Sequence, residues 1–208
     1  MSHSEAEGLK IRKRRATTSR IAASAARLAA EQGLTGTTVD QIAADAEVAR
    51  ATFFRYYQAK ENAVADGIAG PWLEVITEAI ARQPARLGAM EAIIAAFTEL
   101  TDALPIHYDQ IRELADLTRT STTLTAWTLR TYHRYEKAIA GLAADRIADL
   151  AGDDPRPRMI AAITMGAVRI SLDDWIRQGG SLPDLIHRAL TSVSVTPSEN
   201  AAHEVRAD

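Results

Sequence analysis

The sequence predicts an all-α fold: an N-terminal three-helix unit followed by a larger helical domain, about nine helices in all. Apolar residues recur at three- and four-residue spacing through nearly the whole chain, the signature of buried helical stripes. No segment alternates apolar and polar residues, and no hairpin signal joins two such segments. Gly, Pro and capping residues fall at intervals of one helix length.

Composition is consistent with that fold. The chain has 208 residues, 47% hydrophobic and 25% charged, enough apolar surface for a real core and against global disorder. It contains no cysteine, which excludes disulfides and thiolate metal sites. No apolar run is long enough to span a bilayer and no signal peptide is visible, so a cytoplasmic location without a membrane partner is expected. The net charge of −3 hides an asymmetry: residues 1–60 carry ten Lys or Arg against six Asp or Glu, a net of +4, and the remainder carries −7. The first part therefore suits a polyanion and the rest does not.

Residues 1–16 read as a flexible arm with a basic cluster, Lys10 to Arg15. A solvated tail is the plain alternative, but a cationic arm placed here can follow phosphates or enter a minor groove, through Lys13, Arg14 and Arg15. A first helix runs from about Thr18 to Gln32, with Ile21, Ala25, Leu28 and Ala29 inward and Gly33 as its stop. Thr38 and Gln41 form a capping box, after which Val39, Ile42, Ala43 and Ala46 mark a short second helix. A break at Glu47-Val48 leads to a third helix, about Ala49 to Tyr57. Small Ala43 lets the two cross closely. This is a helix-turn-helix pattern, with the second of the pair offering its polar face to a DNA major groove. Arg50 is assigned a base-edge contact, a phosphate contact being the alternative. Thr52 and Phe53 face the groove, and Phe54 and Tyr57 turn to the core. Lys60 sits where the fourth helix would aim its N-terminus at a phosphate.

That fourth helix carries Val64, Ile68, Trp72, Val75, Ile76 and Ile80, and Gly67, Gly70 and Pro71 predict a kink or break within it. Helices follow from Arg86 to Leu104, from Ile106 to Thr120, and from Thr122 to about Leu150. Asp154 is the expected cap and Pro155 the first residue of the next helix, which ends near Gln178. A last helix covers Pro183 to Val193, before a disordered tail at 196–208. The domains are accordingly 17–66 for duplex reading and 67–195 for ligand binding and dimerisation. A dimer is needed because one recognition helix reads few base pairs, and a two-fold pair spans successive grooves about 34–36 Å apart. Its expected interface is Met159, Ile163, Val168, Leu172, Trp175, Leu185 and Leu190. An effector pocket is expected from Phe97, Tyr108, Leu114, Trp127, Arg130 and Tyr132.

Ile42-Ala43, Ala46-x-Val48, Thr52-Phe53-Phe54-Arg55-Tyr56-Tyr57 and Lys60-Glu61 together resemble the DNA-binding signature of TetR-family transcriptional repressors, over about residues 10–68. The resemblance implies a ligand-responsive repressor that binds a palindromic double-stranded operator as a homodimer. It also implies phosphate contacts from the hydroxyls of Thr38 and Tyr56. Three positions depart from the common pattern: the turn residue, usually Gly, is Glu47; the residue opening the recognition helix, often Ser, is Ala49, which keeps its place beside DNA without a hydroxyl; and the cap before the fourth helix is Ala59. Asp154-Pro155-Arg156, Asp174-Trp175 and Gly179-Gly180 are similar to the mycofactocin-regulator-like branch, which implies a small amphipathic or apolar effector of acyl-CoA-like type. No cofactor, metal or catalytic residue is expected. Neighbouring carboxylates such as Asp173-Asp174 cannot converge from adjacent helical positions, and His107, His133 and His187 lack metal-ligand spacing. A helical adaptor that binds protein without reading DNA is the alternative, and the basic arm argues against it.

Overall fold

The computed structural model describes residues 3–103 and 108–193. Every regular element among them is a helix: α1 (His3–Gly36), α2 (Val39–Asp45), α3 (Arg50–Tyr56), α4 (Lys60–Arg82), α5 (Ala89–Ala103), α6 (Tyr108–Thr120), α7 (Thr122–Ala144), α8 (Arg156–Gln178) and α9 (Leu182–Thr191). The expected turn at Leu104-Pro105 and the C-terminal tail lie outside the described residues. No described helix is long and apolar enough to cross a membrane.

The helices enclose two main cores. Ile21 and Ala25 of α1, Ile42 and Ala43 of α2, Phe53 of α3, Tyr57, and Ala63 and Val64 of α4 form the first. Ile76 and Ile80 of α4, Ile93 of α5, Tyr135 and Ile139 of α7, Met165 and Trp175 of α8, and Ile186 and Leu190 of α9 belong to the second. A small cluster of Ala65, Leu124 and Trp127 ties α4 to α7 between them. Among the described residues α4 alone contributes to all three, so it is mechanically common to both halves.

Two expectations about α1 and α4 need correction. The arm is helical: α1 starts at His3 and carries the basic cluster on its exposed first turns. Acidic Glu7 in its first turns, followed by strong helix formers, favours this. Gly33 does mark the break, with φ +74 and ψ 158, and the chain is helical again to Gly36. α4 runs as one helix from Lys60 to Arg82 with Pro71 inside it, so the alternative of a break is excluded. Gly67 serves a close approach: a Cβ built there would sit 2.1 Å from the Ala22 carbonyl oxygen of α1 and 2.7 Å from the Ala26 Cβ.

The ends of other elements follow from their caps. The Thr38–Gln41 box is present, with the Thr38 hydroxyl accepting from the Gln41 N–H at 3.2 Å and Gln41 Oε1 accepting from the Thr38 N–H at 2.8 Å. α7 stops at Ala144, short of the expected Leu150, because Arg146 turns back. Its guanidinium donates to the carbonyls of Ile80 (2.9 Å), Gln83 (2.8 Å), Pro84 (3.0 Å) and Leu87 (3.3 Å), satisfying the C-terminus of α4 and the link to α5. α8 begins at Arg156, one residue later than expected. The Asp154 carboxylate takes the Arg156 N–H at 2.8 Å and its guanidinium at 2.6 Å, which holds the carboxyl below its usual range.

Gly67→Ala is expected to push α1 from α4 and lower unfolding stability by about 1–3 kcal/mol, the usual range for overpacking. Urea denaturation of the variant against the native chain measures it.

Candidate functional site

The α2–α3 unit presents its outer face to solvent. Its turn is made by Glu47 in a left-handed conformation, φ +52, the one non-Gly residue with positive φ among those described. Val48 N–H closes the turn on the Ala43 carbonyl at 2.9 Å, and Glu47 N–H on that of Ala44 at 3.1 Å. Ala49 opens α3 in extended conformation with no side-chain hydrogen bond, as its missing hydroxyl requires. Behind the turn, Ile42, Ala43 and Ala46 are buried, so the small residues let α2 and α3 meet closely.

Arg50 lies on the exposed face. Its Nη1 donates to both oxygens of Asp40 in α2 at 2.6 Å, and its guanidinium lies 5.4 Å from the centre of the Phe54 ring. The arginine is held out to solvent by a carboxylate and an aromatic face. Thr52 and Tyr56 are half-buried beside it, and Arg55 stacks on Tyr56 at 5.6 Å. Lys10, Lys13, Arg14 and Thr17 of α1 face Arg55 and Tyr56 across a shallow hollow, so the basic turns of α1 and the end of α3 form one cationic surface. Arg15 and Thr38 are exposed.

Two assignments on this face are corrected. Phe53 is fully buried and packs edge-on against Phe54, its ring 5.4 Å away, whereas Phe54 is 48% exposed. Phe53 and Tyr57 are four residues apart and share the inward face, which the expectation had divided between Phe54 and Tyr57. Lys60 does not extend outward: its ammonium donates to the carbonyls of Leu34 at 2.8 Å and Thr37 at 2.6 Å. It satisfies the segment between α1 and α2 and so is already engaged within the protein.

The second domain contains an apolar cavity of about 210 Å³ lined by residues of α4, α5, α6, α7, α8 and α9. Phe97, Leu114, Trp127 and Tyr132 line it, alongside Ile68 and Trp72 of α4. Its lining includes hydroxyls of Thr and Tyr but no charged side chain. Arg130 lies instead in a neighbouring polar cleft, and the Tyr108 side chain is outside those described. Two hydrogen bonds lash α7 to α4 along the cavity. The Trp127 indole N–H donates to Asp66 Oδ1 at 2.8 Å, and the Tyr135 hydroxyl donates to the Ala69 carbonyl at 2.6 Å. Burial pushes the Tyr135 phenol well above its usual range, so it stays a neutral donor. Burial, and then the nearby Asp66 carboxylate, do the same for Tyr57. Asp66 thus faces both the residue that ends the recognition helix and the wall of the cavity. Sequence reasoning missed Asp66; the available signal was a carboxylate set beside the apolar stripe of Val64 and Ile68.

The expected dimer residues divide. Trp175 and Leu190 are buried in their own domain, Trp175 under the Arg112 guanidinium at 4.4 Å and donating to the Gly180 carbonyl at 3.1 Å. Val168 and Leu172 line the cavity, and Leu185 packs against the core. The outer face of α8 carries Met159 at 57% exposure, half-buried Ile163 and Ile170 at 50%. Ile170 was not expected there, although it continues the four- and seven-residue spacing from Ile163.

Residues 15–64 match the model of the bacterial regulatory proteins, tetR family, and residues 87–196 match that of the MftR C-terminal domain. The HTH-type transcriptional regulator TcmR of Streptomyces glaucescens is 29% identical over 178 residues, covering 81% of this chain and 76% of that protein. Among solved structures, a TetR transcriptional regulator from Rhodococcus sp. RHA1 superposes with a TM-score of 0.62 at 16% identity, over 86% of this chain and 96% of that one. Thermus thermophilus FadR, a TetR-family repressor in complex with lauroyl-CoA, gives 0.58 at 19% identity, over 87% and 98%. These two likenesses establish a shared fold.

Phe53→Ala is expected to cost about 3–5 kcal/mol of stability, as for any fully buried Phe. Phe54→Ala is expected to cost less than about 1 kcal/mol, since only a surface cation–π contact is lost. Equilibrium unfolding of the two variants distinguishes the inward from the outward ring.

Proposed function

We propose that this chain, which belongs to the TetR family of bacterial transcriptional regulators, works as an effector-released repressor that binds a palindromic operator as a homodimer. The family consists of regulators rather than enzymes. The observation that carries the proposal is α4: one helix supplies both the floor of the helix-turn-helix core and a wall of the apolar cavity. A molecule entering the cavity presses on the helix that positions the reading unit.

On the operator, Arg50 reaches a base edge, exchanging Asp40 for guanine acceptors, and Thr52 lies next to it. Thr38, Tyr56 and the backbone at Ala49 face phosphates, with Lys13, Arg14 and Arg15 on the helical extension of α1 gripping the flanking backbone. Lys60 holds the scaffold behind these contacts. Two protomers join through the outer face of α8, where Met159, Ile163 and Ile170 would otherwise remain in water, with Leu185 of α9 at the margin. The effector is an apolar or amphipathic molecule with an acyl chain. An uncharged cavity supports that class, as does the similarity of fold to a repressor solved with lauroyl-CoA. Release is a population shift: the effector favours a conformer in which α4 has moved and the two recognition helices no longer match the groove spacing.

The direct experiment is footprinting of the DNA beside the coding region. An inverted repeat should be protected, and lauroyl-CoA at micromolar concentration should remove the protection. No protected site, or a site indifferent to every acyl thioester, contradicts the operator and the effector parts respectively. Operator affinity should fall by about 10³ or more between 50 and 200 mM salt if six or more phosphates are contacted; salt-insensitive binding would instead support an adaptor. Ile170→Glu should give a folded monomer by light scattering, with operator affinity lowered at least a hundredfold because only one half-site can be held.

A further inference from the structure

Beside the apolar cavity lies a polar cleft of about 380 Å³, lined by Tyr56, Gln58, Asn62, Asp66, Arg130 and Arg134 among others. Trp127 and Thr131 line both spaces, so a molecule passing that threshold has one end in each. The cavity alone, about 210 Å³, falls below the roughly 300–1,000 Å³ of a typical ligand pocket and suits only part of a larger molecule.

The chemistry of the cleft is that of an anion site. Arg130 and Arg134 are one turn apart on α7, an arrangement that is mutually repulsive unless something negative lies between them. The single carboxylate lining the cleft, Asp66, is 3.9 Å from Arg134 and already accepts the Trp127 indole. Arg130 is exposed and forms no ion pair with any described residue. On the floor, Asn62 is 6% exposed and its Oδ1 is buried without a hydrogen-bond partner, a costly state that a ligand donor would relieve.

We propose that this cleft is the head-group site of an amphipathic anion, its apolar chain in the cavity and its negative group between Arg130 and Arg134. This rests on the reading of the cavity as an effector pocket and adds to it the charge of the effector and the residues that recognise it. It also supplies the route of the signal. A negative head in the cleft competes with Asp66 for Arg134 and repels its carboxylate, which loosens Asp66 from Trp127 and so α4 from α7. The head belongs either to a free fatty acid, as a carboxylate, or to a phosphorylated acyl carrier; both present an anion on a chain and the test separates them.

The experiment titrates the full-length protein by calorimetry with lauroyl-CoA, dodecanoate and dodecanol, which share a chain and differ in the head. An anionic ligand should bind at least about tenfold tighter than dodecanol, the scale of one charge-assisted hydrogen bond. Whichever of lauroyl-CoA and dodecanoate binds tighter identifies the head. In R130Q/R134Q that advantage should disappear while dodecanol affinity changes less than twofold, and R130K/R134K should restore most of it. Dodecanol bound as tightly as both anions, or an anionic preference unchanged in R130Q/R134Q, overturns the cleft and leaves the cavity standing. If none of the three binds, the effector reading fails with it.

Discussion

The hydrogen bond from the Trp127 indole to the Asp66 carboxylate joins the half of the molecule that faces DNA to the half that holds the cavity. Asp66 is a charged group that is only 24% exposed by its side chain, so it must find partners, and it finds them in Trp127 and Arg134. Tyr135 adds a second bond to α4 one turn along, at Ala69. A hydrogen bond to a charged group is worth about 1.5–3 kcal/mol. Coupling free energies between ligand sites are about 1–3 kcal/mol. Bonds of this size hold α4 against α7 without a ligand, yet a ligand's binding energy is enough to replace them.

The reading unit tolerates two local costs. The left-handed backbone at Glu47 costs about 1 kcal/mol relative to glycine, and a missing cap at Ala49 costs about the same. Against them stand Ile42 and Phe53, both fully buried, each contributing about 1.5–3 kcal/mol, together with Ala43 and Ala46 at the crossing. Burial outweighs local strain, which is why the helix-turn-helix geometry survives departures at its turn and cap.

Charge on the outer face is arranged with comparable economy. The Arg50–Asp40 pair is exposed on both sides, and such pairs contribute about 0–1 kcal/mol. Holding the guanidinium there limits its rotamers, and breaking so exposed a pair costs little. Lys60 is different, because its ammonium serves two backbone carbonyls and cannot leave without stranding them. The basic residues of α1 project from a helix, which fixes their spacing relative to Arg55 and Tyr56.

The sequence by itself determined the helical class, the capping box at Thr38 and Gln41, the helix-turn-helix spacing and the unusual turn residue at Glu47, because each is written in neighbours within about two turns of one another. Four residues of the cavity wall were also legible as large apolar or aromatic groups on inward stripes. What only tertiary structure decided involved partners distant in the chain. Phe53 rather than Phe54 turns inward because α1 and α4 close over that side of α3. Gly67 stands within α4 because the Ala22 carbonyl of α1 occupies the space its side chain would take. Lys60 is drawn to Leu34 and Thr37, Trp175 is covered by Arg112, and Asp66 becomes a junction only once α7 lies across α4. Periodicity says that a stripe is buried; which helix buries it is a property of packing, and no residue on the stripe carries that information alone.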